Sequence, residues 1–181
     1  MKRILIALLL FIAASPLTRA ADCPEIHVYF APPGGCTDAV VAELNKAQKT
    51  ILVQAYTFSS KPISAALVNA QKRGVQVAAI LDKGQRMDRY TEATTLAHAG
   101  IRTLIDAQHT IAHNKVMIID GETVITGSMN FTKTVEEHNA ENLLVIRDPQ
   151  LAAEYRANWE SRRAISMPYA GPGDFGPAAE E

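Results

Sequence analysis

Apolar positions change their period along the chain, and each change marks an expected element. Glu25 to Phe30 alternates and is rich in β-branched and aromatic side chains, which predicts a strand ended by Pro32-Pro33-Gly34-Gly35. From Thr37, the expected N-cap, Val40, Val41, Leu44 and Ala47 recur at helical spacing. Thr50 to Tyr56 reads as an apolar strand. Pro62 suits the first turn of a helix reaching Arg73, with Ile63, Ala66, Leu67 and Ala70 inward and Gly74 closing it. Val75 to Leu81 is almost continuously apolar, as in a strand buried on both faces. Asp88 is placed to cap a helix running to His98, stopped by Gly100 and followed by a short strand, Ile101 to Leu104. Such alternation of strand and helix predicts a largely parallel sheet with helices on both faces.

The pattern then shifts to hairpins. His113 to Ile119 and Thr123 to Thr126 read as strands joined by Asp120-Gly121-Glu122. Asn142 to Ile146 is a further strand, and Pro149 to Arg163 a closing helix with Trp159 in the core. The expected fold class is therefore α/β, a three-layer α/β/α sandwich with a mixed central sheet. From Met167 the chain turns to Pro, Gly and acids, which predicts a disordered tail over 167–181.

The amino terminus reads differently from the rest. Lys2 and Arg3 precede an apolar run, Ile4 to Ala14, and Thr18-Arg19-Ala20 follows, the layout of a secretory signal peptide cleaved after Ala20. The run is short for a transmembrane helix, although an uncleaved anchor is the competing reading. One catalytic domain is expected over 21–166, in a periplasmic or secreted protein.

Charge excludes one class. The whole chain has 18 basic and 19 acidic side chains, and without residues 1–20 it has 15 and 19, a net charge of −4. A protein that coats nucleic acid by charge alone is basic. Any polyanion here must be held by a local cluster. Cys23 and Cys36 would both enter an oxidising compartment, where a structural bridge between them is expected. Neither has a neighbouring His that would mark a nucleophile or a zinc site.

Candidate chemistry is concentrated in His113-Asn114-Lys115, Asp120 and Gly127-Ser128-Met129-Asn130. Side chains two apart on a strand share a face, so His113 and Lys115 are expected to project together, with Met117 and Ile119 beneath them. Ser128 and Asn130 follow the returning strand just past Gly127, where backbone can approach closely. An ammonium and an amide donate to phosphate oxygens. An imidazole can attack or transfer a proton near neutral pH. Taken singly, each residue is more often structural, since a strand His is commonly just hydrogen-bonded and Ser and Asn commonly serve turns.

Together the residues form H-x-K-x4-D-x6-G-S-x-N, which resembles the signature of the phospholipase D superfamily, and most specifically its small secreted bacterial Nuc-type endonucleases. Six fixed positions would match by chance on the order of once in 10⁵ such chains or more rarely. The order of elements and the segment Glu141-Asn142-Leu143-Leu144-Val145-Ile146 also fit. The resemblance implies that His113 attacks phosphorus to form a phosphohistidine, while a second histidine protonates the leaving oxygen and later activates water. It implies that Lys115, Ser128 and Asn130 join His113 in the site, and that Glu141 accepts a hydrogen bond from the nucleophilic imidazole. Asp120 and Gly127 are then structural members of the motif. No second H-x-K occurs in the chain, so the resemblance implies a homodimer with the site on its two-fold axis.

No cofactor or metal is called for; His109 and His113 are four apart, but on a strand or loop that spacing does not make a zinc face. Lys83, Arg86 and Arg89, and with them Lys61 and Lys133, could contact a nucleic-acid backbone or simply be solvated. The leading reading is a phosphodiesterase cutting DNA, with RNA as a second candidate substrate, without a base-reading element. The alternative is a phospholipase D or cardiolipin-type hydrolase with the same chemistry, for which an exposed apolar rim would be expected and none is evident in the sequence. A third reading, a silent DNA-binding module, is disfavoured by the intact motif.

Overall fold

Neighbouring residues of the central strands enter two different cores, and that division sets the architecture. The structure, a computed structural model, describes residues 23–172. Strands β1 (Glu25–Ala31), β2 (Thr50–Ala55), β3 (Gln76–Asp82), β4 (Arg102–Asp106), β5 (Lys115–Ile119), β6 (Thr123–Gly127), β7 (Glu141–Arg147) and β8 (Met167–Pro168) form one sheet in the order β1-β7-β6-β5-β2-β3-β4-β8. β2, β3 and β4 are mutually parallel, and every other neighbouring pair is antiparallel. The sheet is mixed.

One face of the sheet, with Val53, Val77, Ala79, Met117, Ile125 and Val145, packs against three helices. These are α1 (Cys36–Lys46), α2 (Lys61–Lys72) and α3 (Ala93–His98), which contribute Val40, Leu44, Ile63, Leu67 and Leu96 among others. The opposite face, with Ile80, Leu104, Val116, Ile118 and Val124, is covered by α5 (Pro149–Ile165) through Ala152 and Trp159. Each such fully buried aliphatic side chain contributes roughly 1.5–3 kcal/mol, so the two cores together outweigh any single polar contact. Trp159 also donates its indole N–H to the Val53 carbonyl at 3.0 Å, which fixes α5 to the middle of the sheet. Asp148 caps α5 by accepting from the amides of Gln150 and Leu151 at 2.9 and 3.1 Å.

Several local expectations need correction. α1 begins one residue before Thr37, after Gly35 at φ 101°, a left-handed conformation suited to glycine. Asp88 caps no helix: its carboxylate accepts from the Tyr90 amide in a local turn. The segment after β3 instead forms a short 3₁₀ turn, Lys83–Arg86, started by the Asp82 carboxylate accepting from the Gly84 amide at 2.7 Å. α4 (Lys133–His138) is too short and polar to show in the apolar pattern. Order also continues past 166, because Met167 and Pro168 pair with Ile105 and Leu104 and the Tyr169 ring is buried. The expected signal segment and residues 173–181 lie outside the described residues.

The expected disulfide is absent. Cys23 is exposed before β1 and Cys36 is buried at the start of α1. The seven residues of β1 lie between them, and at about 3.3 Å each they span roughly 23 Å. A bridge requires Cα atoms within about 7 Å.

Candidate active site

Antiparallel pairing brings the motif together at one end of the sheet. β5 starts where β2 ends, with Lys115 in register with Ala55. β6 returns to the same end and leads through Gly127 into Ser128 and Asn130. β7 starts there, placing Glu141 opposite Ala31, the last residue of β1. Phe131, next to Asn130, forms a bridge with Phe58 beyond the end of β2. Its carbonyl accepts from the amides of Ser59 and Ser60 at 3.0 and 2.9 Å.

Gly127 makes that convergence possible. It sits at φ 156°, and a Cβ there would lie 2.3 Å from the Asn142 carbonyl oxygen, a backbone atom that cannot yield cheaply. The close approach lets the Ser128 amide donate to that same carbonyl at 3.1 Å.

His113 precedes β5 rather than lying in it, since the strand begins at Lys115. Its ring is exposed and packs against Tyr56 at 4.7 Å between centroids, tilted by 59°. Lys115 is buried, 7% exposed. Its ammonium donates to the His113 carbonyl at 2.8 Å and lies 5.2 Å from the centre of the Tyr56 ring, a cation–π distance. Burial pulls the Lys115 ammonium below its ordinary pKa, and the Glu141 carboxylate opposes that shift. A partly desolvated cation therefore stands beside an exposed imidazole. That pairing suits attack on a phosphoryl group whose oxygens need a positive partner.

Glu141 takes a different partner from the one implied by resemblance. Within one chain its Oε2 accepts from Ser128 Oγ at 2.5 Å and its Oε1 from Asn139 Nδ2 at 3.1 Å. Among the described residues the His113 side chain makes no hydrogen bond. Ser128 Oγ in turn accepts from the Asn142 amide at 3.0 Å, so Ser128 ties the end of β6 to the first two residues of β7. Asn130 Oδ1 is buried without a protein partner.

Asp120 stands at the far end of the hairpin, at φ 55° beside Gly121 at 72°. Its carboxylate accepts from the amides of Lys49 and Thr50 on Oδ1 (2.7 and 2.9 Å) and of Gln48 on Oδ2 (2.8 Å). Burial would push the Asp120 carboxyl up, but the three amide donors outweigh it and hold it below the usual range. It ties the β5–β6 turn to the start of β2 and takes no part in the site.

The basic residues divide. Lys83 and Lys61 are exposed, and Arg89 is exposed with its guanidinium 4.5 Å above the Tyr90 ring. Arg86 is buried, 8% exposed, on the 3₁₀ turn after β3. Met87, Tyr90 and Ile111 are more than half exposed on the loops following β3 and β4, at the same sheet end as His113. Only the register of the sheet reveals this, as it does the placement of Tyr56 against the motif. No apolar period points to either.

Comparison with known proteins agrees with the geometry. The family described as "Cardiolipin synthase, PLD-like domain" matches residues 40–163. A phospholipase D from Rickettsia typhi is 47% identical over 140 residues, covering 77% of this chain and 69% of that protein. A mitochondrial cardiolipin hydrolase from Xenopus laevis is 29% identical over 146 residues, covering 81% of this chain and 67% of that one. Among solved structures, Nuc from Salmonella typhimurium, a phospholipase D family member, superposes with a TM-score of 0.77 at 36% identity, covering 81% of this chain and 98% of that one. The chain belongs to the phospholipase D family of hydrolases.

Proposed function

We propose that the protein is a secreted or periplasmic endonuclease that hydrolyses phosphodiester bonds of DNA, and of RNA by the same chemistry, without a metal cofactor. The observation that carries this reading is the exposed His113 imidazole beside the buried Lys115 ammonium, both packed on Tyr56 at the sheet end that also holds Ser128, Asn130 and Glu141. His113 attacks phosphorus and the P–O bond to the leaving group breaks. Lys115 and Asn130 donate to the non-bridging oxygens, and the leaving oxygen takes a proton from a second imidazole. Water, deprotonated by that second imidazole, then cleaves the P–N bond and returns His113. General acid–base participation of this kind is typically worth 10²–10⁴ in rate.

The second imidazole is the partner's His113 in a homodimer whose two-fold axis passes through the site. The chain carries a single H-x-K, and Glu141 spends both carboxylate oxygens without reaching its own His113. A two-fold axis also doubles the local positive charge, offsetting the acidic whole. Similarity to Nuc over nearly that protein's full length supports the nuclease reading. The amino-terminal pattern described above supports secretion.

A second reading, hydrolysis of a phospholipid headgroup with the same residues, is favoured by one observation: the exposed Met87, Tyr90 and Ile111 at the site's end of the sheet. Purified residues 21–181 are therefore assayed on plasmid DNA, single-stranded DNA and cardiolipin vesicles in excess EDTA, beside His113→Ala. Cleavage of DNA by the wild type alone is the expected result. Vesicle hydrolysis without DNA cleavage would replace the first reading with the second, and loss of all activity in EDTA would overturn the mechanism.

A further inference from the structure

Two buried carboxylates end neighbouring parallel strands. Asp82 closes β3 and Asp106 closes β4, in register with each other and 5% and 2% exposed. Like charges so placed need donors, and the loop after β4 supplies most of them. Asp106 Oδ1 accepts from the amides of Gln108 and His109 at 3.2 and 3.4 Å, and its Oδ2 lies 2.8 Å from His109 Nδ1. Asp82 Oδ2 accepts from the Ala112 amide at 2.8 Å. Residues 107–114 have no helix or strand of their own, so these bonds replace the ladder that would otherwise hold them.

The other nitrogen of His109 is also used. Arg162, in the last turn of α5, donates from Nη1 to His109 Nε2. A guanidinium only donates, so Nε2 must accept and Nδ1 must carry the proton towards Asp106. One tautomer satisfies the whole chain Arg162–His109–Asp106, which spans from α5 to the end of β4. α5 is itself fixed to the sheet by Trp159. The loop then leaves through Asn114, whose carbonyl accepts from the Tyr56 amide at 2.9 Å. His113 lies between the Ala112 and Asn114 anchors, and its own side chain takes no hydrogen bond among the described residues.

We infer that His109, clamped between Asp106 and Arg162, is a positioning residue that sets the attack geometry of His113 by fixing the 107–114 loop. The inference rests on the catalytic role proposed for His113. A displacement of about 1 Å in a reacting group can cost on the order of 10² in rate, which is the scale at which such a clamp acts.

Two readouts test it on the full mature chain: amide hydrogen exchange at Ala112 and Tyr56, and steady-state hydrolysis of bis(p-nitrophenyl) phosphate. His109→Ala and Arg162→Met should each speed exchange at both amides by about tenfold or more. Each should lower kcat by roughly 30- to 100-fold with KM held within about threefold. His109→Gln, whose amide can both donate and accept, should recover part of kcat, and His98→Ala, at the exposed end of α3, should change neither readout. The His109→Ala and Arg162→Met losses should be strongly non-additive, because they break one chain of bonds. A rise in KM on Arg162→Met with kcat preserved would make Arg162 a substrate ligand and overturn the inference. Unchanged exchange at Ala112 would overturn it too. An inactive wild type would sink the proposed function instead, and exchange alone would then decide whether the clamp orders the loop.

Discussion

Ser128 Oγ donates to Glu141 Oε2 at 2.5 Å while accepting from the Asn142 amide at 3.0 Å, so one hydroxyl joins the end of β6 to the start of β7. Two consequences can be separated by mutation. Ser128→Ala leaves the Asn142 amide without its acceptor and should cost about 1 kcal/mol of stability. Glu141→Gln keeps the size and an acceptor but removes the charge that opposes desolvation of Lys115. Its stability should stay within about 1 kcal/mol of the wild type, while diester hydrolysis falls by roughly 10²-fold or more. Urea unfolding alongside initial rates reads both, and a Glu141→Gln enzyme of full activity would show that the carboxylate charge is irrelevant to the site.

Lys115 should display a conflict between stability and activity. Burial lowers its pKa, so folding favours the neutral amine and the charged form carries a penalty at neutral pH. That penalty is fully present below the folded-state pKa and is relieved as pH rises from there towards the ordinary lysine value. Lys115→Met should abolish hydrolysis yet leave the protein at least as stable at pH 7. Its stability advantage should shrink towards high pH. Thermal melts at a series of pH values check the sign, and a variant much less stable than the wild type at pH 7 would contradict it.

Much of the frame is readable in the order of residues, and its limits have physical causes. Val75 to Leu81 announces a two-faced buried strand because both cores demand apolar side chains there, and β3 is found one residue on, at Gln76–Asp82. Helix ends and short helices are less legible. Asp88 has the chemistry of a cap but spends its carboxylate on Tyr90, and α4 is too short and polar in sequence to leave a period. At the site, His113, Lys115, Ser128 and Asn130 can be picked out by type and spacing. Tyr56, Asp106 and Arg162 cannot, because only the register of β2, β4 and β5 and the docking of α5 bring them to that end of the sheet. The Cys23–Cys36 pairing fails for the same reason: thirteen residues look like a short loop until seven of them are drawn out as a strand.

Thiol chemistry follows from that last point. Cys23 is exposed and Cys36 buried, so a thiol reagent should modify about one cysteine per native chain and two after unfolding. Reducing agent should leave the melting temperature unchanged. A drop of several degrees on reduction would mean that the two cysteines are bridged after all.

Asp120 should be a stability residue with no catalytic effect. Its carboxylate accepts three amides from Gln48, Lys49 and Thr50, and its pKa is held low as a result. A depressed folded-state pKa gives stability that is present above the unfolded value, about 3.9, and is lost as pH falls through the folded value. Asp120→Asn replaces one accepting oxygen with an NH₂ that faces a donor, and should cost about 2 kcal/mol at pH 7. The difference from the wild type should shrink as pH falls through that folded value, where the Asp120 carboxyl becomes neutral as well. Activity per folded molecule should be unchanged, because the bonds lie at the opposite end of β5 from Lys115. Loss of kcat in a fully folded Asp120→Asn protein would place the residue in the mechanism.

Gly127 joins stability to the site most directly. Any Cβ there meets the Asn142 carbonyl oxygen at 2.3 Å and two further backbone atoms at 3.0 Å, and φ 156° already disfavours an L side chain. Relief requires β6 and β7 to separate just where Ser128 leaves β6 and Glu141 begins β7. Gly127→Ala should therefore cost about 3 kcal/mol or more, and unlike Asp120→Asn it should also lower kcat in the fraction that remains folded. Rates measured at low temperature and divided by the folded fraction from circular dichroism separate the two effects. A fully active, merely destabilised Gly127→Ala enzyme would mean that the Ser128–Glu141 pair tolerates displacement, and that the short bond between them is not needed for turnover.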